Sequence, residues 1–400
     1  MSNTTDVFKE RIRLPIPTRE LERRWKAIRS IMLEKGIDSL IIQDDNQWLG
    51  GYVRYFTDIP AENAYPHTVI FPANDEMTII TSGGNPLPPA PPAWAVRGVK
   101  ERISKPYFRS LNYTNTLDAE VTVEILKKRN DKVVGFVNLG HINAAYYLYL
   151  KENLPGVDFV DATDFVDEIK AVKSEDEIAF IRKAIAVQDA VCAAVPTFVR
   201  PGRYEYEVRG AINRLLEDLG SEEQLIMLGS SPPGIPTGHL PTFYQNRRIE
   251  PGDQVFIMIE VNGPGGYYGE IGRTWCLGEP PKELLEVWSV ALEAQKRVAK
   301  LLKPGAKPGD ILKANNDFLI SKGYQPEGRL FAHGQGYDLV ERPAMRPEEN
   351  MVLKAGMNIA VHPIAFNDKA YAFCCDNYLI KEDGAERLHK TPQEIFVIDC

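Results

Sequence analysis

Apolar and polar residues alternate in the first third of the chain in a way that predicts helices between strands. Leu21 to Lys35 carries apolar residues at helical spacing, and the apolar run Asp38–Gln43 predicts a short buried strand after it. The runs Thr68–Phe71 and Met77–Thr81 flank the turn-prone Pro72–Glu76. This arrangement is typical of a β-hairpin.

The same alternation continues after a proline-rich break. Pro86–Pro92 holds five prolines, which predicts a stiff loop without regular structure. Lys132–Val137 then has the pattern of a strand and Ala144–Glu152 that of a helix. Together these segments predict one α/β domain of roughly 160 residues.

A change of pattern near residue 170 predicts a domain boundary. Ser174 and Glu177 have the spacing of a capping box, in which a hydroxyl and a carboxylate satisfy free amides at a helix start. Apolar residues at helical spacing follow toward Pro196. We therefore assign residues 1–170 to an N-terminal domain and residues 171–400 to a second domain.

Two similar helix entries occur in the second domain. Pro201–Val208 and Lys303–Asp310 each place a Pro-Gly turn before a helical pattern. They indicate either an internal pseudo-repeat or two unrelated junctions.

Composition limits the class of protein. The 400 residues carry a formal charge of -8 with no block of basic residues, which argues against a nucleic-acid partner. The first ten residues lack the apolar core of a signal peptide, and no run approaches about 20 apolar residues, so we expect no membrane span and a cytoplasmic protein. The five scattered cysteines lack metal-type spacing, and their odd number argues against a framework of structural disulfides.

Two glutamates are predicted to face each other across a hairpin. Pro251–Glu260 is a turn followed by a nearly all-apolar strand, Val261–Gly269 is a tight turn, and Glu270–Gly278 is a return strand. Carboxylates so placed can bridge metal ions, divide acid and base roles, or supply a nucleophile. The alternative is a pair of exposed strand-end glutamates.

Three histidines and one cysteine are further candidates. His239 lies in a loop rich in Gly and Pro, His333 in a glycine-flanked segment, and His362 at the end of an apolar strand. Cys375 and Asp376 occupy opposite faces of the next strand, so only one of them can face a site. Taken alone, this cysteine is typical of core packing.

In their order along the chain, these segments resemble the creatinase, methionine aminopeptidase and prolidase superfamily, which has the pita-bread fold. The resemblance is carried by Lys173-Ser174…Glu177, Gly252-Asp253, Gly266–Thr274, Ala332–Gly336, Leu353–Met357 and Asp376–Ile380…Gly384. It implies an α/β N-terminal domain of the creatinase type and an α+β C-terminal pita-bread domain with a pseudo-repeat. It also implies a homodimer.

The metal ligands implied by this resemblance are largely replaced. Metallopeptidases of the superfamily hold two ions with two aspartates, one histidine and two glutamates. Here the first aspartate falls near Ile259 or Glu260, the second is Glu270, and the glutamate positions are His362 and Cys375. His333 is the only one of the five ligand positions that keeps the residue type of the peptidases. A second histidine follows the His-Gly segment in those peptidases, and here Val340-Glu341 lies near its place. This pattern disfavours a proline-specific peptidase with a dinuclear site.

Creatinase and ectoine hydrolase resemble this chain in fold, and both use the fold without a metal to hydrolyse a C–N bond. The resemblance to them favours a C–N hydrolase that acts on a small polar substrate. Glu260 would be the nucleophile or base and His239 the acid or base, each a role that contributes about 10²–10⁴-fold. Glu270 belongs to the same catalytic set, and Glu341, His333 and His362 would orient the substrate. Tyr267 and Cys375 are further candidates for substrate binding.

Three different functions stay open beside this one. A lyase similar to the one that cleaves dimethylsulfoniopropionate would hold one Fe or Zn ion, with a ligand set of Glu260, Glu270, His333, His362 and Cys375. An Xaa-Pro-type metallopeptidase is the second possibility, and a catalytically inactive binding module is the third. The sequence alone favours a site without a metal cofactor.

The N-terminal domain offers an aromatic segment. In creatinase-like dimers the matching stretch approaches the pocket of the partner subunit. Trp48, Tyr52 and Tyr55 would form an aromatic wall, and Arg54 a carboxylate clamp. Core packing of the same residues is the alternative.

Overall fold

The computed structural model describes residues 14–83 and 96–399. The predicted proline-rich loop Pro86–Pro92 and the first ten residues lie outside the described residues. The chain forms two compact units, with the division between Lys170 and Ala171.

The first unit is built on a mixed β-sheet. Its helices are α1 (Thr18–Lys35), α2 (Gly51–Thr57), α3 (Leu117–Arg129), α4 (Ala144–Asn153) and α5 (Thr163–Ala171), and its strands are β1 (Ser39–Asp44), β2 (His67–Pro72), β3 (Met77–Ser82), β4 (Val99–Lys105), β5 (Val133–Val137) and β6 (Asp158–Asp161). The strand order is β4-β3-β2-β1-β5-β6. β2 and β3 form the predicted antiparallel hairpin, whereas β1, β5 and β6 are parallel. The α/β prediction for this part of the chain is confirmed.

The second unit contains helices α6 (Glu175–Phe198), α7 (Glu205–Asp218), α8 (Lys282–Leu301) and α9 (Pro308–Ser321). Its strands are β7 (Gln224–Ser231), β8 (Gln254–Asn262), β9 (Tyr268–Leu277), β10 (Ala332–Gly334), β11 (Glu341–Ala344), β12 (Asn358–Val361), β13 (Ile364–Phe366), β14 (Tyr371–Phe373), β15 (Asp376–Lys381), β16 (Gly384–Arg387) and β17 (Phe396–Ile398). They form sheets in the orders β17-β9-β8-β7 and β11-β10-β12-β15-β16, with β13 and β14 as a separate pair.

Each half of the second unit consists of two helices followed by antiparallel strands, as the predicted pseudo-repeat requires, and β17 joins the first sheet parallel to β9. In the first half, α6 and α7 pack against β7–β9 around a core that includes Val191, Ile212 and Ile259. In the second half, residues of α8 and α9 such as Val298 and Ile311 share a core with Ile359 of β12. The buried face of each sheet therefore has its own pair of helices.

The predicted capping box starts α6. Ser174 Oγ accepts a hydrogen bond from the Glu177 amide at 3.3 Å, and Glu177 Oε2 accepts one from the Ser174 amide at 2.8 Å. The backbone of Val172 also bridges to Met357, next to β12. The start of α6 is thereby held beside the second sheet.

The long hairpin β8–β9 is buried along its whole length. Ile257 and Ile259 point to the helix-covered core, whereas Phe256 and Met258 lie against Phe373 and Cys375. Because successive side chains alternate between faces, Glu260 shares the second face with Phe256 and Met258. This face carries the candidate site.

Within the described ranges, no helix is both long enough and apolar enough to cross a bilayer.

Candidate active site

Glu260 and Glu270 are direct cross-strand partners on the hairpin. Both are buried, with Glu260 7% and Glu270 0% exposed, so the alternative of exposed strand-end glutamates is wrong. Residues directly opposite on an antiparallel pair point to the same face. The register also settles which residue faces the site, because Ile259 pairs with Ile271 in the core behind the sheet.

Two histidines approach the Glu270 carboxylate from the second sheet. His333 lies in β10 and His362 directly follows β12, and these two strands pair antiparallel. His333 Nε2 is 3.6 Å from Glu270 Oε2, and His362 Nε2 is 3.5 Å from Glu270 Oε1. One ligand atom from each of the three residues lies within 4.8 Å of the others. We call Glu270, His333 and His362 the ligand cluster.

Several ligand atoms of the cluster have no hydrogen-bond partner among the described residues, and the one hydrogen bond of His333 leaves its Nε2 available. His333 Nδ1 is 2.9 Å from the Gly334 carbonyl oxygen, and since a carbonyl only accepts, Nδ1 carries the proton and Nε2 keeps its lone pair. Both ring nitrogens of His362 and Oε2 of Glu270 are buried without a hydrogen-bond partner among the described residues. Unsatisfied buried polar atoms are rare in proteins, and their convergence here is typical of a site that binds a ligand.

Cys375 contacts the same carboxylate. Its Sγ lies 3.1 Å from Glu270 Oε1, and burial together with the Glu270 charge raises the pKa of this thiol well above its usual value. The neutral thiol therefore donates to the carboxylate. Asp376 points to the opposite face, as predicted, and its Oδ1 accepts a hydrogen bond from Arg273 at 2.7 Å.

Burial is the main cause of the altered pKa values at the site. It raises the pKa of Glu270 to about 7, and it raises the pKa of Glu260 well above the usual value, with a further contribution from the Glu270 charge. It lowers the pKa of His333, and that of His362 well below the usual value. The imidazoles are therefore neutral at pH 7, which is the form that binds metals.

His239 closes one side of the site from the loop between β7 and β8. Its ring lies 5.3 Å from the rings of Phe256 and Phe373, and Nδ1 is 3.2 Å from the Tyr371 hydroxyl. Burial, with a contribution from the Arg329 charge, lowers the pKa of His239 to about 4. A neutral imidazole in this place can accept a proton.

Sequence reasoning missed Arg329 and the ring of Tyr371. Arg329 donates from Nη2 to Glu327 Oε2 at 3.0 Å and to the His362 carbonyl oxygen at 3.3 Å. Its charge lowers the pKa of Glu270, although burial has the larger and opposite effect. The signal available in the sequence was an arginine four residues before His333.

Glu341 and Tyr267 have well-defined protein partners in the structure. Glu341 Oε2 accepts a hydrogen bond from Lys173 Nζ at 2.6 Å, in a buried ion pair. The Tyr267 hydroxyl donates to Glu177 Oε1 at 2.9 Å. Both residues thus fix the start of α6, and a contact with substrate stays a prediction for each.

The four aromatic-segment candidates lie in the first unit. Tyr55 is 1% exposed, with the Arg24 guanidinium 4.3 Å from its ring centre, and Arg54 is also buried. Trp48 and Tyr52 are half-buried, and the Tyr52 hydroxyl donates to Asp167 Oδ1 at 2.5 Å. Core packing accounts for Tyr55, whereas substrate contact and the homodimer stay predictions.

The duplicated arrangement of two helices and an antiparallel sheet, with carboxylate and imidazole groups on the inner face, defines a pita-bread protein of the creatinase and prolidase type. Residues 24–172 match the creatinase/prolidase N-terminal domain, and residues 179–382 match metallopeptidase family M24. The chain therefore belongs to metallopeptidase family M24, and the predicted superfamily and fold class are confirmed.

Similar proteins include both peptidases and an ectoine hydrolase. The probable dipeptidase PepE of Mycobacterium tuberculosis is 32% identical over 246 residues, which is 61% of this chain and 65% of that protein. The ectoine hydrolase of Halomonas elongata is 25% identical over 96% of this chain and 99% of its own. The crystal structure of X-Pro aminopeptidase from Thermotoga maritima matches with a TM-score of 0.77 at 21% identity, covering 94% of this chain and 99% of that chain, which supports the fold.

Proposed function

We propose that this protein hydrolyses a C–N bond in a small polar substrate, with one divalent transition-metal ion, iron or zinc, held by Glu270, His333 and His362. The observation that carries the proposal is the convergence of three ligand atoms within 4.8 Å, together with the buried polar atoms of Glu270 and His362 that have no partner among the described residues. Two imidazoles and one carboxylate are a donor set that suits iron or zinc. The proposal therefore departs from the metal-free site that the sequence alone favours.

The donor set fits one ion better than two. A dinuclear site needs carboxylates that bridge, and here a glutamate position of the superfamily is His362 while the other is Cys375, whose thiol donates to Glu270. Ile259, one of the two residues near the first aspartate position, points into the core. These replacements weigh against the dinuclear chemistry of a proline-specific peptidase.

The relatives support hydrolysis as the class of reaction. They are named as a dipeptidase, an ectoine hydrolase and an X-Pro aminopeptidase. The peptide bond that a peptidase cleaves joins a carbonyl carbon to nitrogen, and water must attack that carbon. We therefore propose for this chain the hydrolysis of a C–N bond, but none of the substrates that these names imply.

The residues around the cluster supply the proton transfers. When bound, a divalent ion at such a site polarises the substrate and makes water more acidic. His239 is neutral at pH 7 because of its lowered pKa, so it can accept a proton from water and return it to the leaving nitrogen. The rings of Phe256 and Phe373 hold its imidazole in place.

A metal-independent hydrolase is the second candidate, and the pKa of Glu260 favours it. Burial and the neighbouring Glu270 charge raise the pKa of Glu260 and so favour its protonated form, as in carboxyl pairs that share a proton. Glu260 would then donate its proton to the leaving nitrogen while His239 takes one from water. These roles are the reverse of those that the sequence suggested.

Elemental analysis of the purified protein separates the two candidates. We expect about one iron or zinc per chain, lost in His333→Gln and His362→Gln but kept in the control His141→Gln, whose ring lies in the first unit beside Asp44. Turnover of amides, ureas and dipeptides is measured on the same preparations. Two ions per chain would contradict the single-ion site, and turnover by metal-free protein would favour the second candidate.

A further inference from the structure

We infer that Tyr371 is a positioning residue whose hydroxyl oxygen accepts a hydrogen bond from Nδ1–H of His239 and so leaves the lone pair of Nε2 free to take a proton. This role rests on the proposed function, in which His239 accepts a proton from water. The distance between the two side chains, the surroundings of each ring nitrogen and the packing around the imidazole support it.

The hydroxyl of Tyr371 is the one hydrogen-bond partner that the described residues offer to the His239 ring. It lies 3.2 Å from Nδ1. Hydrogen bonds from N–H to oxygen span about 2.7–3.2 Å, whereas those donated by hydroxyl groups are usually shorter, about 2.5–3.0 Å. The distance therefore favours Nδ1 as the donor. Since a neutral imidazole carries a single proton, Nε2 is then the nitrogen with the lone pair.

The Nε2 atom of His239 is the ring nitrogen that remains for a water or a substrate. No described residue forms a hydrogen bond with it, and it is not among the fully buried polar atoms that lack a partner. His239 and Tyr371 both line a pocket with a volume of about 300 Å³. This volume is at the lower end of the range for small-molecule sites. A small molecule in the pocket can therefore reach Nε2.

The packing around the imidazole fixes its position relative to the phenol. The His239 ring is stacked 5.3 Å from the rings of Phe256 and Phe373, and it meets the Tyr371 ring edge-on at 5.9 Å. A Cβ at Gly238 would lie 3.3 Å from Cζ of Tyr371, the atom that bears the hydroxyl. The absence of a side chain at Gly238 thus lets the loop that carries His239 lie directly against the phenol.

Both groups of the pair are neutral at pH 7. Burial, with a contribution from the Arg329 charge, lowers the pKa of His239 to about 4. Burial raises the pKa of Tyr371, although the Arg329 charge opposes this effect. A neutral phenol keeps its own proton and still has lone pairs with which to accept. Tyr371 can therefore hold Nδ1–H without taking the proton from it.

Nitrogen NMR spectroscopy of the full-length protein, labelled with isotope-enriched histidine, tests this assignment. A protonated ring nitrogen and an unprotonated one give well-separated signals, so the spectrum reports the tautomer directly. The signals of His239 are identified by their loss in His239→Gln. At pH 7 we expect the proton of His239 on Nδ1 and none on Nε2. Spectra recorded before and after treatment with a chelator make the result independent of a bound metal.

The variant Tyr371→Phe keeps the aromatic ring and removes the acceptor. We expect the tautomer ratio of His239 to shift about 10-fold toward Nε2–H, because one hydrogen bond to Nδ1 is lost. On a substrate found in the turnover screen, kcat should fall by about the same factor with KM unchanged, since only the tautomer with a free Nε2 lone pair reacts. The control Tyr206→Phe removes the hydroxyl of a tyrosine that is 44% exposed on α7, and it should change neither the ratio nor kcat.

The outcomes separate this role from the proposed function. A proton on Nε2 of His239 in the wild type, or an unchanged tautomer ratio in Tyr371→Phe, would overturn the positioning role. Urea unfolding of Tyr371→Phe distinguishes a lost hydrogen bond from lost folding, and the wild-type spectrum tests the direction of the hydrogen bond without any variant. Because the spectra need neither metal nor turnover, a failed search for activity leaves their result intact.

Discussion

Gly272 shows how one residue determines the packing at the site. It lies on β9, where its amide and carbonyl bond with the Cys375 backbone. A Cβ at this position would overlap the Phe373 ring and lie 3.2 Å from the Cys375 Cβ. Phe373 in turn lies against His239. The absence of a side chain at Gly272 therefore lets the aromatic support of His239 come close to the hairpin.

We predict that Gly272→Ala destabilises the protein by about 1–3 kcal/mol, since the added methyl must displace a buried ring. Urea unfolding measures this loss, and turnover should fall as Phe373 moves. Gly210→Ala is the matched control, because it sits within α7 and its added Cβ would meet open space beyond the helix's own backbone. Alanine is the better helix former, so this control should be neutral or slightly stabilising. Equal effects at both positions would contradict the packing argument.

For single residues, the sequence predicted the chemistry-bearing side chains better than their surroundings. Glu260, Glu270, His333, His362 and Cys375 were all candidates, and the last three converge on the Glu270 carboxylate. Arg329 was missed because its one local signal, a position four residues before His333, does not distinguish a loop arginine that lines a pocket from one that is solvated. Glu341 was placed at the site by resemblance, and only the fold reveals its ion pair with Lys173.

At the scale of elements, the start of α6 connects stability to the site. The Ser174–Glu177 capping box fixes the first turn, and Glu177 also accepts the hydrogen bond of Tyr267. Tyr267 lies in the turn of the hairpin that carries both glutamates. One helix terminus therefore helps to hold that turn.

We predict that Ser174→Ala lowers the free energy of unfolding by about 1 kcal/mol, because the Glu177 amide loses its acceptor. Ser174→Asp should retain most of this stability, since aspartate is also a good N-cap residue. Ser289 lies on the exposed surface of α8, so Ser289→Ala is the control and should change the free energy of unfolding little. Urea unfolding curves measure all three variants, and a loss of equal size in Ser174→Asp would argue against capping as the cause.

The capping box was predictable because its signal is local: two residues three positions apart. The strand register, which puts Glu260 rather than Ile259 at the site, was not predictable. Spacing alone allows either residue to match the first aspartate position of the superfamily. The pairing of β8 with β9 decides it, by placing Ile259 opposite Ile271. The short pair β13–β14 was likewise beyond prediction, because strands of three residues carry almost no periodic signal.

At the scale of the whole molecule, buried ionisable groups make stability depend on pH in two opposite directions. Burial, with a smaller effect of Arg102, lowers the pKa of His67 to about 4. Burial raises the pKa of Asp118 to about 6, despite its hydrogen bond from Thr68. Both residues lie in the first unit, away from the ligand cluster in the sequence. Their contributions can therefore be tested without changing the candidate site.

The sign of each effect follows from which state binds the proton more tightly. The unfolded chain protonates His67 near pH 6.5, whereas the folded protein does so only near pH 4. The stability that this difference contributes is therefore complete above pH 6.5 and is lost as pH falls toward about 4. For Asp118 the folded protein holds the proton more tightly, so its contribution is complete below about pH 3.8 and is lost as pH rises through about 6. Each of these pKa differences changes the free energy of unfolding by about 3 kcal/mol at most.

We therefore predict opposite slopes for two neutral variants. Relative to the wild type, His67→Gln should gain stability as pH falls from 6.5 to 4, because the variant has no imidazole to protonate on unfolding. Asp118→Asn should gain stability, again relative to the wild type, as pH rises from about 4 to 6, because it has no carboxyl to ionise inside the protein. Urea unfolding at several pH values measures both differences. Parallel slopes for the two variants would show that the pH dependence arises elsewhere, since a loss of packing alone does not change sign between an acid and a base.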